Sequence, residues 1–205
     1  MAILREDFFQ QDTLTVAPAL LGKYLVRALP EGAAAIRITE AEAYVGRIDK
    51  ACHAYGYRRT KRTETLFAKP GTVYIYLIYG MYHCLNFVTE AEGEPCAVLI
   101  RAGEPVLGAA LMAARRFQKM PAELNAYQRK NFLNGPGKLC RALDLTRTQN
   151  GLLLPQKGLF VCDDPADFGL PAFEAPEGER MHSGPRIGIN YAEEAVDFPW
   201  RFWLA

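Results

Sequence analysis

The segment Thr72 to Val88 constrains the fold most, because tyrosines alternate there with β-branched and aliphatic residues. Such alternation predicts strands over residues 73–78 and 82–88. The Tyr79-Gly80 pair between them predicts a turn. The segment is therefore expected to form a β-hairpin.

Helical and extended segments mix along the rest of the chain without regular βαβ alternation. Helical spacing of apolar residues predicts helices over 7–21 and 106–116 and from Lys138 onward. Alternation predicts strands over 23–29, 34–44, 96–102, 158–162 and 186–191. Residues 58–69 are read as a loop or short helix, and the acidic, Pro- and Gly-rich stretch 163–180 as a surface loop. This mixture predicts an α+β fold.

Charge is nearly balanced over the 205 residues, with 24 Lys and Arg against 23 Asp and Glu. This balance excludes a uniformly basic nucleic-acid binder and a polyanionic chain. The charge is nevertheless divided: residues 58–147 hold 14 Lys and Arg against seven acids, and residues 163–197 hold two against nine. Either these charges are simply solvated, or the middle of the chain faces a polyanion. In the second case the basic residues should cluster around Tyr79.

No segment predicts export, a membrane span or a metal centre. Glu6 and Asp7 precede any long apolar core, and polar residues break the richest apolar run, 73–88. The five cysteines are widely spaced and form no CxxC pattern, which disfavours a zinc site. We therefore expect reduced, buried thiols in an intracellular protein.

Two carboxylates stand two residues apart in the predicted strand 34–44. At this spacing Glu40 and Glu42 share one face of the strand. The pattern alone favours a solvent-exposed face. In the core the pair would be costly, and a partly buried carboxylate would be retained for a task such as activating water. Arg101, at the end of an apolar strand, is the partner that we expect for Glu42.

Three further features allow both a structural and a functional interpretation. His53 is either a hydrogen-bonded structural residue or part of an aromatic-walled pocket for a planar ligand. Asn86, on an apolar strand, is either a structural bridge or a specificity contact. The hairpin tyrosines either pack in the core or sheet, or they suit base stacking and insertion into a duplex.

The stretch Gly135-Pro136-Gly137-Lys138 lacks the spacing of a nucleotide-hydrolase phosphate loop, so we reject that function. Glycine and lysine at a helix start can still hold a backbone phosphate.

Taken together, these segments resemble the alkyladenine (3-methyladenine) DNA glycosylases of base-excision repair. The resemblance runs in order over nearly the whole chain, and the tyrosine hairpin block is its most specific part. The matching segments are LLGKYLVR at 20–27, TEAEAY at 39–44, HAYG at 53–56, KPGTVYIYLIYGMYHCLN at 69–86, AVLIRAGEP at 97–105, GPGKLCRAL at 135–143 and PRIGI at 185–189.

The resemblance implies one domain over residues 1–205, with a curved antiparallel β-sheet surrounded by α-helices and a protruding β-hairpin. It also implies a monomer that lies in the cytoplasm with the chromosome and needs no metal or other cofactor. Its partner would be double-stranded DNA that contains a damaged purine.

Catalytic roles follow from the same resemblance. Glu42 would position and deprotonate the attacking water, helped by Arg101 and by the backbone carbonyl of Ile187. Tyr44 and Tyr76 would stack the flipped base.

Binding roles follow in the same way. His53 would complete the pocket wall and bind the base through its backbone amide, and Asn86 would clash with the amino group of normal guanine. Tyr79 would fill the gap left in the duplex, and Met81 and Lys138 would contact the DNA.

The implied reaction rotates an alkylated or deaminated purine out of the duplex and hydrolyses its N-glycosidic bond. No lysine stands among the implied pocket residues, which predicts direct attack by water and an abasic product without strand cleavage. Two alternatives remain: a non-catalytic reader of damaged DNA, and a hydrolase of free nucleosides. The pairing of Glu42 with Arg101 disfavours the first. The hairpin tip and the basic middle segment would have no use in the second.

Overall fold

A computed structural model describes residues 3–164, 166, 169 and 173–205. Eight antiparallel strands in this part of the chain form one sheet. The strands are β1 Tyr24–Leu29, β2 Gly32–Val45, β3 Val73–Ile78, β4 Tyr82–Thr89, β5 Cys96–Leu107, β6 Leu159–Cys162, β7 Met181–Gly184 and β8 Arg201–Leu204. The α-helices are α1 Glu6–Phe9, α2 Thr13–Ala19, α3 Ala109–Phe117, α4 Ala126–Lys130 and α5 Pro136–Ala142. The α+β prediction is confirmed.

The long strand β2 lies at the centre of the sheet, whose main order is β3-β4-β5-β2-β1-β6. One edge of β2 pairs with β5 along most of its length. The other edge pairs with β1 over its first half and with β8 at residues 40–42. Both edges of the glutamate segment are therefore hydrogen-bonded within the sheet.

One face of the sheet carries the main hydrophobic core. Side chains that alternate inward along the strands pack there against α2, α3 and α5. Examples are Ile36, Phe87 and Ile100 on the sheet and Met112 and Leu139 on the helices, all fully buried. Because successive strand residues point to opposite faces, the residues between these apolar ones point away from this core.

The opposite face carries a row of cross-strand partners. Tyr74 pairs with Asn86, Asn86 with Leu99, Leu99 with Glu42, and Glu42 with Arg201. Partners in an antiparallel sheet share a face, so five strands contribute to one surface. This row is the framework of the site described below.

Two β-bulges interrupt the pairing of β2 with β5 beside this row. Ala41 pairs with Ile100 and Glu40 with Ala102, which leaves Arg101 as an extra residue of β5. Bulges bend a strand and re-aim its side chains, and they are frequent next to active sites. The bulge turns Arg101 into the space between the two glutamates.

The predicted hairpin is confirmed as β3 and β4. The Ile78 carbonyl accepts a hydrogen bond from the Met81 amide, and Tyr79 and Gly80 both adopt positive φ. This geometry is that of a type I′ turn, whose twist matches the flanking strands. Tyr79 and Met81 project from the tip with 81% and 66% of their surface exposed.

Several sequence-based boundaries differ from the structure. The helix predicted over 7–21 is two helices, because Asp12 caps α2 by accepting a hydrogen bond from the Leu14 amide. The helix predicted from residue 106 begins at Ala109, because Val106 and Leu107 continue β5.

The strand predicted over 186–191 is wrong. No strand forms there, and β7 and β8 lie on either side of this stretch. The acidic loop predicted for 163–180 falls partly outside the described residues. No helix in the described part is long and apolar enough to cross a bilayer.

Candidate active site

A cavity of about 800 Å³ opens on the second face of the sheet. It is lined by most of the residues predicted to act together: Tyr44, His53, Tyr76, Tyr79, Asn86, Arg101, Lys138 and Ile187. Met81 instead lines a neighbouring cavity of about 340 Å³, which shares Tyr82, Gly137 and Arg141 with the first.

The Glu42 carboxylate lies next to this cavity with none of its surface exposed. Its Oε1 accepts a hydrogen bond of 2.8 Å from the Ile187 amide, and its Oε2 accepts one of 2.7 Å from the Tyr44 hydroxyl. Arg101 Nη1 lies 3.3 Å from the same Oε2. The exposed-face interpretation of the glutamate pair is therefore wrong: hydrogen bonds and an ion pair replace the water that Glu42 loses.

Arg101 is shared by two carboxylates. Its Nε donates to Glu40 Oε1 at 3.0 Å, while its Nη1 faces Glu42, as the sequence predicted. Burial alone would lower the pKa of the Arg101 guanidinium, but Glu42 and Glu40 raise it above its ordinary value. Arg201 Nη1 also donates to Glu40 Oε1, at 3.2 Å. Arg101 is therefore a permanent cation at this position.

The cavity walls are aromatic. The rings of Tyr44 and Tyr76 are largely buried, and burial raises the pKa of both phenols. Nearby Glu42 raises the pKa of Tyr44 further. Both hydroxyls are therefore protonated at neutral pH, so that the Tyr44 hydroxyl can donate to Glu42.

His53 packs edge-on against Tyr76, with ring centroids 4.6 Å apart. Its Nδ1 lies 3.1 Å from the Tyr74 hydroxyl. Burial, together with the positive charge of Arg62, lowers the pKa of His53 to about 4. The imidazole is therefore neutral in the physiological range, where it acts as part of the wall rather than as a cation.

Asn86 is a structural bridge, which is one of the two interpretations that the sequence left open. Its Nδ2 donates to the backbone carbonyls of Tyr74 and Cys84, at 3.1 and 3.3 Å, so the amide bridges β3 and β4. The residue also lines the cavity. The structural interpretation is thus correct, and the position leaves a specificity contact open.

The Gly135-Lys138 stretch packs against the hairpin. A Cβ on Gly137 would come within 3.0 Å of the Tyr82 ring, so this glycine permits close packing. Lys138 Nζ donates to Asn131 Oδ1 and Asn134 Oδ1, each at 2.8 Å, and to the Asn134 carbonyl. This lysine lines the cavity, which corrects the expectation that the pocket holds none.

The basic residues of 58–147 cluster around Tyr79 only in part. Arg116, Lys138 and Arg141 line the same cavity as Tyr79. By contrast, Arg59 pairs with Glu64 and Arg115 with Glu31.

Sequence reasoning missed the buried ion pair behind the site. Arg186 and Asp49 have fully buried side chains, and both guanidinium Nη atoms bond to the Asp49 carboxylate. The guanidinium carbon lies 4.7 Å from the centroid of the Tyr44 ring and 5.2 Å from that of Trp200. Arg186 therefore supports Tyr44 from behind and directly precedes Ile187. Its place in PRIGI was the available signal, but the apolar alternation around it suggested a strand.

No group of three or more His, Cys, Asp or Glu side chains in the described residues is placed to hold a metal ion. The site consists of a buried carboxylate that is paired with an arginine, and of a cavity between aromatic rings.

The fold and the site together define a class of protein. It is an antiparallel α+β protein that can enclose a planar ring between tyrosines and hold a carboxylate beside it. A tyrosine-tipped hairpin projects from the same cavity.

Comparison with known proteins identifies the family. The model of the methylpurine-DNA glycosylase (MPG) family matches residues 7–205. The chain therefore belongs to this family, as the resemblance predicted.

Similar proteins cover nearly the full chain. A protein of Clostridium perfringens (strain SM101 / Type A) is 48% identical over 205 residues, covering 98% of this chain and 95% of the relative. One of Desulfitobacterium hafniense (strain Y51) is 45% identical, covering 100% and 96%. One of Methanocella arvoryzae is 46% identical, covering 99% and 92%. All three are named as 3-methyladenine DNA glycosylases.

Proposed function

We propose that the protein removes alkylated or deaminated purines from double-stranded DNA by hydrolysing the N-glycosidic bond with a water activated by Glu42. The substrate class covers bases of the 3-methyladenine, 7-methylguanine, hypoxanthine and etheno-adenine types. The observation that carries the proposal is the fully buried Glu42 carboxylate beside an aromatic cavity. The names of the relatives point to the same activity.

The base would bind between aromatic rings. A purine rotated out of the duplex loses its stacking and pairing, at a cost of a few kcal/mol that is smaller for a damaged base. Stacking against Tyr44 and Tyr76 offsets this cost by about 1–3 kcal/mol per base. A cationic alkylated purine gains an additional cation–π attraction to the same rings.

The chemical step would use the remaining acceptor position of Glu42. An ionised carboxylate offers roughly four lone pairs, and Ile187, Tyr44 and Arg101 engage three of them. The fourth can accept a proton from water as the bond to the base breaks. The carboxylate also stabilises the positive charge that develops on the sugar.

Ile187 would act through both of its backbone polar groups. The backbone amide of this residue holds the carboxylate. We expect the backbone carbonyl of Ile187 to orient the attacking water.

The hairpin tip would open the duplex. Tyr79 is the most exposed large apolar side chain of the hairpin and lines the same cavity as the base-binding rings. Inserted between base pairs, its ring takes the place of the flipped base and bends the DNA. Met81, Arg116 and Arg141 line this cavity or its neighbour, and they would contact the flanking strand and its phosphates.

We further propose that the enzyme is monofunctional, acts as a monomer and meets its substrate on chromosomal DNA. The Lys138 ammonium is engaged by three oxygen atoms, which favours direct attack by water over a Schiff base. The product is then an abasic site in an uncut strand.

The decisive experiment compares the wild type with Glu42→Gln on duplex oligonucleotides that each carry one damaged base. We expect Glu42→Gln to bind damaged DNA but to lower single-turnover base release by about 10²–10⁴-fold, the usual contribution of a general base. Glu104→Gln is the matched control, because Glu104 pairs with Arg37 on the same two strands away from the cavity. Normal excision by Glu42→Gln would refute the assigned role.

The same oligonucleotides test both alternatives. A non-catalytic reader would bind damaged DNA without base release. A nucleoside hydrolase would act on free nucleosides and would show no DNA binding that weakens steeply with salt.

A further inference from the structure

Glu40 is an acidic group beside the site to which the proposed mechanism gives no task. Its side chain is 16% exposed, and one oxygen, Oε1, accepts hydrogen bonds from both Arg101 Nε and Arg201 Nη1. Glu40 therefore competes with Glu42 for the same guanidinium. The two carboxylates meet it through different nitrogens, Nε and Nη1.

An arginine next to a single carboxylate tends to form two parallel N–H···O bonds with it. Such a bidentate pair would engage Glu42 more fully and take the lone pair that the water needs. In the structure the nearest approach of Arg101 to Glu42 is from Nη1 to Oε2, at 3.3 Å, while its Nε donates a hydrogen bond to Glu40 Oε1 at 3.0 Å. The shorter contact is the one to Glu40.

The backbone explains why the arrangement is stable. Arg101 is the extra residue of the β5 bulge, and Glu40 sits on the paired stretch of β2 between β5 and β8. Arg201, on β8, supplies a second cation to Glu40 and donates its Nε to the Pro185 carbonyl. The guanidiniums of Arg101 and Arg201 thus balance the two glutamate carboxylates, and the paired strands fix the position of each side chain.

We propose that Glu40 is a positioning residue of base excision: it holds Arg101 by its Nε side, so that Arg101 orients Glu42 without pairing with it through two bonds. The proposal rests on the proposed function, because it assigns Glu42 the role of base. It extends that function to a residue that is not among those lining the cavity.

The test measures base release and DNA binding separately in Glu40→Ala and Glu40→Gln. We expect single-turnover excision from a hypoxanthine-containing duplex to fall about 10–100-fold in Glu40→Ala, part of the general-base contribution. Binding to a duplex with a stable abasic-site analogue should stay within about twofold, because Glu40 is not among the residues that line the cavity. Glu40→Gln, which keeps an acceptor oxygen but loses the charge, should lie between wild type and Glu40→Ala.

The pH profile separates positioning from simple structural support. Among the described residues, the charged or titratable groups around Glu42 are Glu40, Arg101, Arg186, Arg201, Tyr44, Tyr76 and Cys84. Removing Glu40 takes away a negative charge and frees Arg101 to pair more closely with Glu42, and both changes favour the ionised carboxylate. The acid limb of the excision rate should therefore move to lower pH while the plateau falls. A limb that stays in place or moves upward overturns the proposal.

A double-mutant cycle with Arg101→Gln completes the test. If Glu40 acts through Arg101, then Glu40→Ala should change the rate of the Arg101→Gln enzyme less than about twofold. The proposal is overturned if Glu40→Ala lowers the excision rate of the Arg101→Gln enzyme as much as it lowers that of the wild type. It is also overturned if the Glu40→Ala enzyme keeps the wild-type rate. Thermal unfolding of each variant and of Glu104→Ala corrects for lost stability. A wild-type enzyme without base release would instead overturn the proposed function, so the two failures are distinguishable.

Discussion

The buried Arg186–Asp49 pair provides the sharpest test of how the site is held together. The Arg186 guanidinium donates four hydrogen bonds. Two go to the Asp49 carboxylate, and one each goes to the carbonyls of Ala43, at 2.8 Å, and Ala195, at 3.3 Å. Arg186→Met keeps much of the side-chain volume but removes all four. Asp49 is then left as a buried carboxylate with only its two backbone donors, Val45 and Ala51.

The expected magnitude follows from this geometry. Breaking a buried ion pair by removing one partner costs about 3–5 kcal/mol, because the other charge remains buried without compensation. For a chain of this size each kcal/mol lowers the unfolding temperature by about 2–4 °C. Arg186→Met should therefore unfold roughly 6–20 °C below the wild type. The double variant Arg186→Met/Asp49→Asn should recover part of the loss, since it removes the orphaned charge.

Calorimetry and urea unfolding of the wild type, both single variants and the double variant give the coupling energy. Excision should fall as well, because Arg186 supports the Tyr44 ring and precedes the Ile187 amide that holds Glu42. A loss below about 1 kcal/mol in Arg186→Met would refute the reasoning. So would a double variant whose stability equals the sum of the two single losses.

Three further predictions concern the hairpin, the lysine and the histidine. Tyr79→Ala should impair excision from duplex DNA more than from single-stranded DNA, and an equal loss on both would contradict a wedge. Borohydride added during the reaction should trap no covalent adduct with DNA; an adduct that disappears in Lys138→Met would show a Schiff-base mechanism. His53 has its pKa lowered from 6.5 to about 4 on folding, so the folded state resists its protonation. The unfolding free energy should therefore decline as the pH falls from about 6.5 towards 4, and the decline should be smaller in His53→Gln than in the wild type.

The local sequence pattern determined those secondary-structure elements whose residues repeat with a clear period. Alternation over 73–88 with Tyr79-Gly80 at its centre is incompatible with a helix, so the hairpin followed from the residues alone. The spacing of Glu40 and Glu42 likewise placed both on one strand face. The family followed from long matching segments, and with it the expected members of the site.

The same local signals failed where distant residues compete. Residues 186–191 read as a strand because apolar residues alternate there, yet Arg186 is drawn into the interior by Asp49, 137 residues away in sequence. The strands β7 and β8 were missed because each is short and pairs with distant partners. A short edge element owes its stability to pairing rather than to its own propensity.

The chemistry of the glutamates was decided only by the tertiary structure. Two carboxylates on one strand face read most simply as surface charges, since burying them unpaired would be too costly. Their burial becomes possible because a bulge aims Arg101 between them, β8 brings Arg201, and the loop after β7 brings the Ile187 amide. These donors lie 59 to 161 residues from the acids that they bind. Periodicity reports which face a side chain takes, whereas desolvation and its compensation depend on groups that only the completed fold brings together.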